Sequence, residues 1–152
     1  MHIADILRPG CVIADLSGAS IASVLAELAR PVAATAGLDA GTLSAGLLAR
    51  ERLGSTGIGE GVAVPHCKVP GLGSLTAALG RSREGVDFRA LDGKPTRLFV
   101  ALFAPERAGA EHLQALARVS RLLKRPEFRK ALLEAPDAEG MYRLVVDEDG
   151  RL

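Results

Sequence analysis

Seven consecutive apolar residues, Leu98-Phe99-Val100-Ala101-Leu102-Phe103-Ala104, constrain this chain more than any other stretch. A run with no polar side chain suits a strand covered on both faces, so it belongs at the centre of a sheet with helices above and below. Helical spacing on either side of it agrees. Ile21, Val24, Leu25 and Leu28 recur at i, i+3, i+4 and i+7 behind Ser20, an N-cap residue. Pro31 is expected to end or kink that helix, although the same spacing continues to Val32 and Ala36. Asp39 caps a second helix carrying Leu43, Leu47 and Leu48, with Gly54 placed for a left-handed C-terminal cap. Beyond the apolar run, His112 opens a helix bearing Leu116, Val119 and Leu123. Pro126 then fits the first turn of another helix through Leu133, and Asp137 caps a last one containing Met141, Leu144 and Val145.

Shorter strands are expected at Cys11 to Ala14, at Leu75 to Leu79 and around Val86-Asp87-Phe88, with a turn at Asp92-Gly93. The Pro and Gly content of Cys67 to Gly73 predicts a loop. The pattern gives an α/β fold, a small sheet flanked by helices on both faces, in one domain spanning 1–152. At 152 residues such a domain buries about 68–70% of its unfolded surface, enough for a core without metal or disulfide staples.

Charge and composition narrow the function. Nineteen basic residues against eighteen acidic ones leave a net +1, with no broad electrostatic footprint for nucleic acid or an acidic membrane. Aromatic residues make up only 3%, which disfavours base-stacking surfaces. Cys11 and Cys67 form neither a disulfide framework nor a zinc pattern and suit a reducing cytosol. No signal peptide and no membrane-spanning run is apparent, so a soluble, cytoplasmic protein is expected.

The stretch Ser55-Thr56-Gly57-Ile58-Gly59-Glu60-Gly61-Val62-Ala63-Val64-Pro65-His66 stands apart from this scaffold. Its three alternating glycines permit backbone with φ > 0 and uncovered amides suited to an anion, while Pro65 stiffens the approach to His66. A free imidazole titrates near ~6.5, so around neutrality one ring nitrogen keeps a lone pair and His66 becomes a candidate nucleophile. The glycines do not make a nucleotide site: the Gly-Lys-Ser/Thr ending of a Walker loop is missing, and an apolar strand follows where a dinucleotide fold needs a helix. Cys67 has no second cysteine or carboxylate at ligand spacing, so no metal is expected.

This twelve-residue stretch resembles the active-site signature of the fructose/mannitol/nitrogen-type EIIA domains of the bacterial phosphotransferase system. His112-Leu113-Gln114-Ala115-Leu116-Ala117 resembles the family's second mark, a helix beginning His-Leu-x-x-Leu-Ala. The resemblance extends from Asp5-Ile6-Leu7 to the last helix and is nearest the nitrogen-regulatory type. It implies the EIIA fold with a small mixed β-sheet, phosphorylation of His66 on Nε2, and His112 alongside it. It also implies an arginine and glutamate before the signature. Arg50-Glu51 matches them, which makes Arg50 a better phosphate contact than Arg52. Family members often carry glycine at the Cys67 position, a departure that touches local backbone freedom.

Phosphoryl transfer by such a residue needs positioning and charge, not a metal or cofactor. Arg50 can donate to phosphoryl oxygens, His112 can bond the group or orient His66, and the hydroxyls of Ser55 and Thr56 can add donors. His112 also reads as a half-buried capping residue on the Leu116–Val119 stripe. The expected phosphate donor is an HPr-like carrier, with regulatory target proteins, or an EIIB domain, downstream; a homo-oligomer is compatible. Two other functions fit the same residues: the EIIA step of fructose or mannitol uptake, and a non-catalytic module similar to the cytoplasmic domain of some anion transporters. Arg118, Arg121, Lys124, Arg125, Arg129 and Lys130 make the late helices basic, either as a solvated face or toward an acidic partner.

Overall fold

The computed structural model describes residues 1–152. A short 3-10 turn, Ile3–Asp5, leads into β1 (Leu7–Ile13), α1 (Ile21–Ala36) and α2 (Ala40–Arg52). Three short strands follow, β2 (Gly57–Gly59), β3 (Val62–Ala63) and β4 (His66–Val69), then two long ones, β5 (Thr76–Val86) and β6 (Thr96–Pro105). The chain closes with α3 (Ala110–Leu123), α4 (Pro126–Glu134) and α5 (Ala138–Asp149).

The apolar run forms the body of β6 at the middle of a six-stranded mixed sheet ordered β1-β5-β6-β3-β2, with β4 also paired to β6. It runs antiparallel to β5, through pairs from Thr76–Phe103 to Val86–Thr96, and parallel to β3 and β4. All seven of its residues are buried. Alternation along β5 explains the two covered faces. Ala77 and Leu79 point with Val100 toward Val119, Leu122, Phe128, Leu132 and Val145 of the three C-terminal helices. Gly80 points the other way, where a Cβ would lie 2.9 Å from Leu28 of α1 and 2.8 Å from Leu16, so the close seating of α1 requires glycine there.

The helix signals act as expected at most ends. Ser20, Asp39 and Asp137 each accept an amide of the first turn, and Pro126 sits at the start of α4. Pro31 does not end α1. Its missing N–H removes one bond, but buried Val32 and Ala33 anchor the following turn, and the helix stops at Gly37 with φ 68°. Gly54 is not a left-handed cap: Leu53 closes α2 in the right-handed region, and Gly54 follows with φ 156°.

Three strand assignments also change. β1 begins at Leu7, not Cys11, and includes Pro9. It is an edge strand with a register shift between Leu7 and Val12, where proline is tolerated. Thr76 to Val86 is one strand, with Phe88 buried just beyond it. The predicted loop after His66 is instead β4, whose pairing with β6 from His66–Leu102 to Val69–Pro105 overrides its composition.

Candidate functional site

His66 is placed by backbone geometry on both sides. The Val64 amide donates to Thr56 O at 3.0 Å and the Leu102 amide to Pro65 O at 2.9 Å, so the residues before His66 are fixed to the hairpin and to β6. The ring is oriented by its own chain: Nδ1 lies 2.9 Å from Val64 O. A carbonyl only accepts, so Nδ1 carries the proton and, in the neutral ring, the lone pair resides on Nε2.

The half-buried ring opens onto a cleft of about 450 Å³. α2 contributes Gly46, Ala49 and Arg50, with Leu53 at its cap, β4 contributes His66, Cys67 and Lys68, and α3 contributes His112. The two histidines, 46 positions apart in the chain, meet edge to face with ring centroids 5.4 Å apart and planes at 76°. His112 is only 8% exposed, and its Nε2 has no hydrogen-bond partner. Burial, followed by the charges of His66 and Lys68, holds the His112 pKa below the ordinary histidine value. It therefore enters the cleft as a neutral ring. Arg50, in the last turn of α2, donates from Nη1 to Gly54 O at 2.8 Å, which ties its guanidinium to the cleft edge.

The lining has two permanent cations, a buried histidine whose Nε2 has no partner, a histidine whose neutral form carries its lone pair on Nε2, and no carboxylate. Such a set can receive a small, strongly anionic group and, at Nε2, bond to it. A family model described as Phosphoenolpyruvate-dependent sugar phosphotransferase system, EIIA 2, matches residues 5–147. The chain belongs to this EIIA 2 family.

Individual relatives agree. This EIIA 2 chain is similar to the nitrogen regulatory protein of Pseudomonas aeruginosa, 41% identical over 148 residues, 97% of this chain and 96% of that one. It is also similar to the fructose-specific EIIABC component of Bacillus subtilis, 45% identical over 103 residues, 68% of this chain but 16% of that one. Among solved structures, the nitrogen regulatory protein IIA-Ntr from Neisseria meningitidis superposes with a TM-score of 0.88 at 34% identity, covering 94% of this chain and 98% of that one.

The structure brings His66, His112 and Arg50 together, and leaves Ser55 and Thr56 out of the cleft. Ser55 Oγ donates to Phe88 O at 2.8 Å and accepts the Gly57 amide at 3.0 Å. Thr56 Oγ1 donates to Glu51 Oε1 at 2.5 Å, while the Thr56 amide donates to the other carboxylate oxygen at 2.8 Å. These hydroxyls thus fasten the start of the hairpin instead of facing an anion. The glycine-rich turn is likewise not a cradle. Glu60 (φ 56°) and Gly61 (φ 77°) make the reversal between β2 and β3, and the Glu60 amide goes to Asp92 Oδ2 at 2.8 Å. Amide bonds from Glu60 and Lys94 hold the Asp92 carboxyl below the usual carboxylate range.

Glu51, which the resemblance named without a role, and Lys68, which the sequence did not single out, both bear on the cleft. Glu51, buried beside Arg50, joins α2 to the signature through both bonds to Thr56. Lys68 lay hidden in a stretch that Pro70 and Gly71 disguised as loop. Cys67 is buried against Gly46, where a Cβ would come within 3.0 Å of its sulfur, and burial pushes its thiol up to about 11. That keeps it a packed thiol rather than a nucleophile.

Proposed function

We propose that this chain, acting as one EIIA unit over 1–152, is a cytoplasmic phosphoryl carrier of the nitrogen-regulatory type, which takes a PO₃ group from an HPr-like protein onto Nε2 of His66. The observation that carries the reading is the bond from Nδ1 of His66 to Val64 O, which leaves Nε2 as the nucleophilic atom beside Arg50 and the unpartnered Nε2 of His112. In transfer, the Nε2 lone pair forms the new P–N bond while the bond to the donor's nitrogen breaks and its electrons leave with the donor. Arg50 offsets charge on the phosphoryl oxygens, and the Nε2–H tautomer of His112 donates to one of them.

Regulation follows from the change of charge in the cleft. Converting a cationic pocket into one filled by a dianion alters which proteins dock over it. Full-length similarity to a nitrogen regulatory protein supports this over sugar uptake, since the fructose-specific relative matches only 68% of this chain. Sugar uptake, with transfer to an EIIB domain, is the second reading and rests on that relative's higher identity, 45%.

The test uses phosphoenolpyruvate, enzyme I and an HPr-type carrier. Acid-labile label should appear on the wild type and vanish in His66→Ala; equal labelling of that variant excludes His66 as acceptor. Rapid passage of label to a sugar-specific EIIB would replace the regulator with the uptake component.

A further inference from the structure

Lys68 is two residues beyond His66 on the same strand. Side chains alternate along β4, with Cys67 and Val69 buried, so His66 and Lys68 share the other face. Lys68 lines the cleft with both histidines and Arg50 and is itself exposed. It has no carboxylate partner, and neither has Arg50, the other cation of the cleft, whose lining contains no carboxylate. The cleft therefore carries a second cation with nothing in its lining to neutralise it. Arg50 is partly committed to the Gly54 carbonyl, while the Lys68 ammonium has all three donors free. Lys68 and His112 line the same cleft, and after burial and the His66 charge the Lys68 charge adds to the lowering of the His112 pKa.

We propose that Lys68 is a further catalytic residue of this site, its ammonium contacting the oxygens of the phosphoryl group on His66 alongside Arg50. The proposal rests on the phosphoryl-carrier reading of His66 and adds a residue to it. During transfer the P–N bond to the donor breaks and the P–N bond to Nε2 forms. His66 keeps its Nδ1 proton, and Lys68 neither gains nor loses one. Its part is to stabilise the group in the transition state and on the ring.

The decisive experiment phosphorylates His66 from two donors, the phosphorylated HPr-type carrier and the small molecule phosphoramidate, in wild type, Lys68→Met and Lys68→Arg. Phosphoramidate needs no protein docking, so a contact with the phosphoryl group lowers both rates in Lys68→Met, by roughly 10-fold. Lys68→Arg should recover most of the loss. An NMR titration supplies a second readout: removing the cation raises the His112 midpoint in Lys68→Met. Unchanged rates from phosphoramidate overturn the proposal, including the case where only the carrier rate falls, since Lys68 then serves docking alone. Wild type that labels from phosphoramidate but not from the carrier defeats the carrier reading, and the phosphoramidate comparison still decides Lys68.

Discussion

Two sets of basic side chains treat the same charge in opposite ways. In the C-terminal half, Arg118 donates from Nε to Asp149 Oδ1 at 2.5 Å, and Asp149, 1% exposed, also accepts the Ile3 amide at 2.7 Å. Arg81, equally buried, spends Nη1 on the carbonyls of Leu132 and Ala135 at the end of α4 and Nε on Ala14 O. These cations tie elements together: the N-terminal turn, α3 and α5 in one case, β5 and α4 in the other. The exposed ring of His2 also lies 3.5 Å from Asp149. In the His66 cleft, Arg50 and Lys68 meet no carboxylate at all. A cation surrounded by its own protein's acceptors is part of the fold, and one without them is available to a ligand.

The sharpest way to break this contrast is Asp149→Ala. It strands the half-buried Arg118 guanidinium and the Ile3 amide, which should cost ~3 kcal/mol of stability by denaturant unfolding. Phosphorylation of His66 per folded molecule should stay near wild type. A small stability change would show that Arg118 is solvated and the pair is not structural.

Arg50→Gln is the converse. Transfer to His66 should fall roughly 100-fold, with stability within about 1 kcal/mol of wild type, because only the bond to Gly54 O is lost from the fold. Equal losses of stability and rate would move Arg50 into the structural set.

Thr56→Val sharpens the line between hairpin and cleft. It removes one bond to Glu51 and leaves a buried carboxylate oxygen short of a donor, for about 1–3 kcal/mol. The transfer rate should barely move; a large drop in rate at intact stability would return the Thr56 hydroxyl to the phosphoryl group.

The smallest effect concerns pH. The folded-state pKa of His112 lies below the ~6.5 of an unfolded histidine, so between the two values the unfolded chain binds more protons. The His112 contribution is intact above about 6.5 and is lost as pH falls toward the folded value. Unfolding measured from pH 7.5 to 5 should have a shallower slope in His112→Gln, and an unaltered slope would mean that the ring protonates freely in the folded state.

Much of the fold was legible because it depends on local patterns. The Leu98–Ala104 run announced the central strand, and Ser20, Asp39, Pro126 and Asp137 marked helix starts that tertiary packing left in place. What escaped depends on partners distant in sequence. β4 exists through its pairing with β6, and Pro9 is tolerated because β1 lies at an edge. At the site, the signature and the His112 helix pointed to the two rings, but their 5.4 Å meeting is a product of topology. Ser55 and Thr56 could not be sorted from phosphate contacts because their acceptors, Phe88 O and the Glu51 carboxylate, are chosen by the folded backbone. Of the late basic residues, Arg121, Lys124 and Lys130 are exposed, in keeping with a solvated face, whereas Arg118, Arg125 and Arg129 engage acidic side chains of this chain.

The carbonyl of Val64 also bears on how long a modified ring would hold its cargo. With hydrogen kept on Nδ1, phosphorus attached at Nε2 would depart from an imidazolium-like ring, leaving behind a neutral heterocycle rather than an imidazolide anion. That is a good leaving group, so one backbone oxygen two residues upstream would keep the linkage energetic and reversible, suited to relay instead of storage.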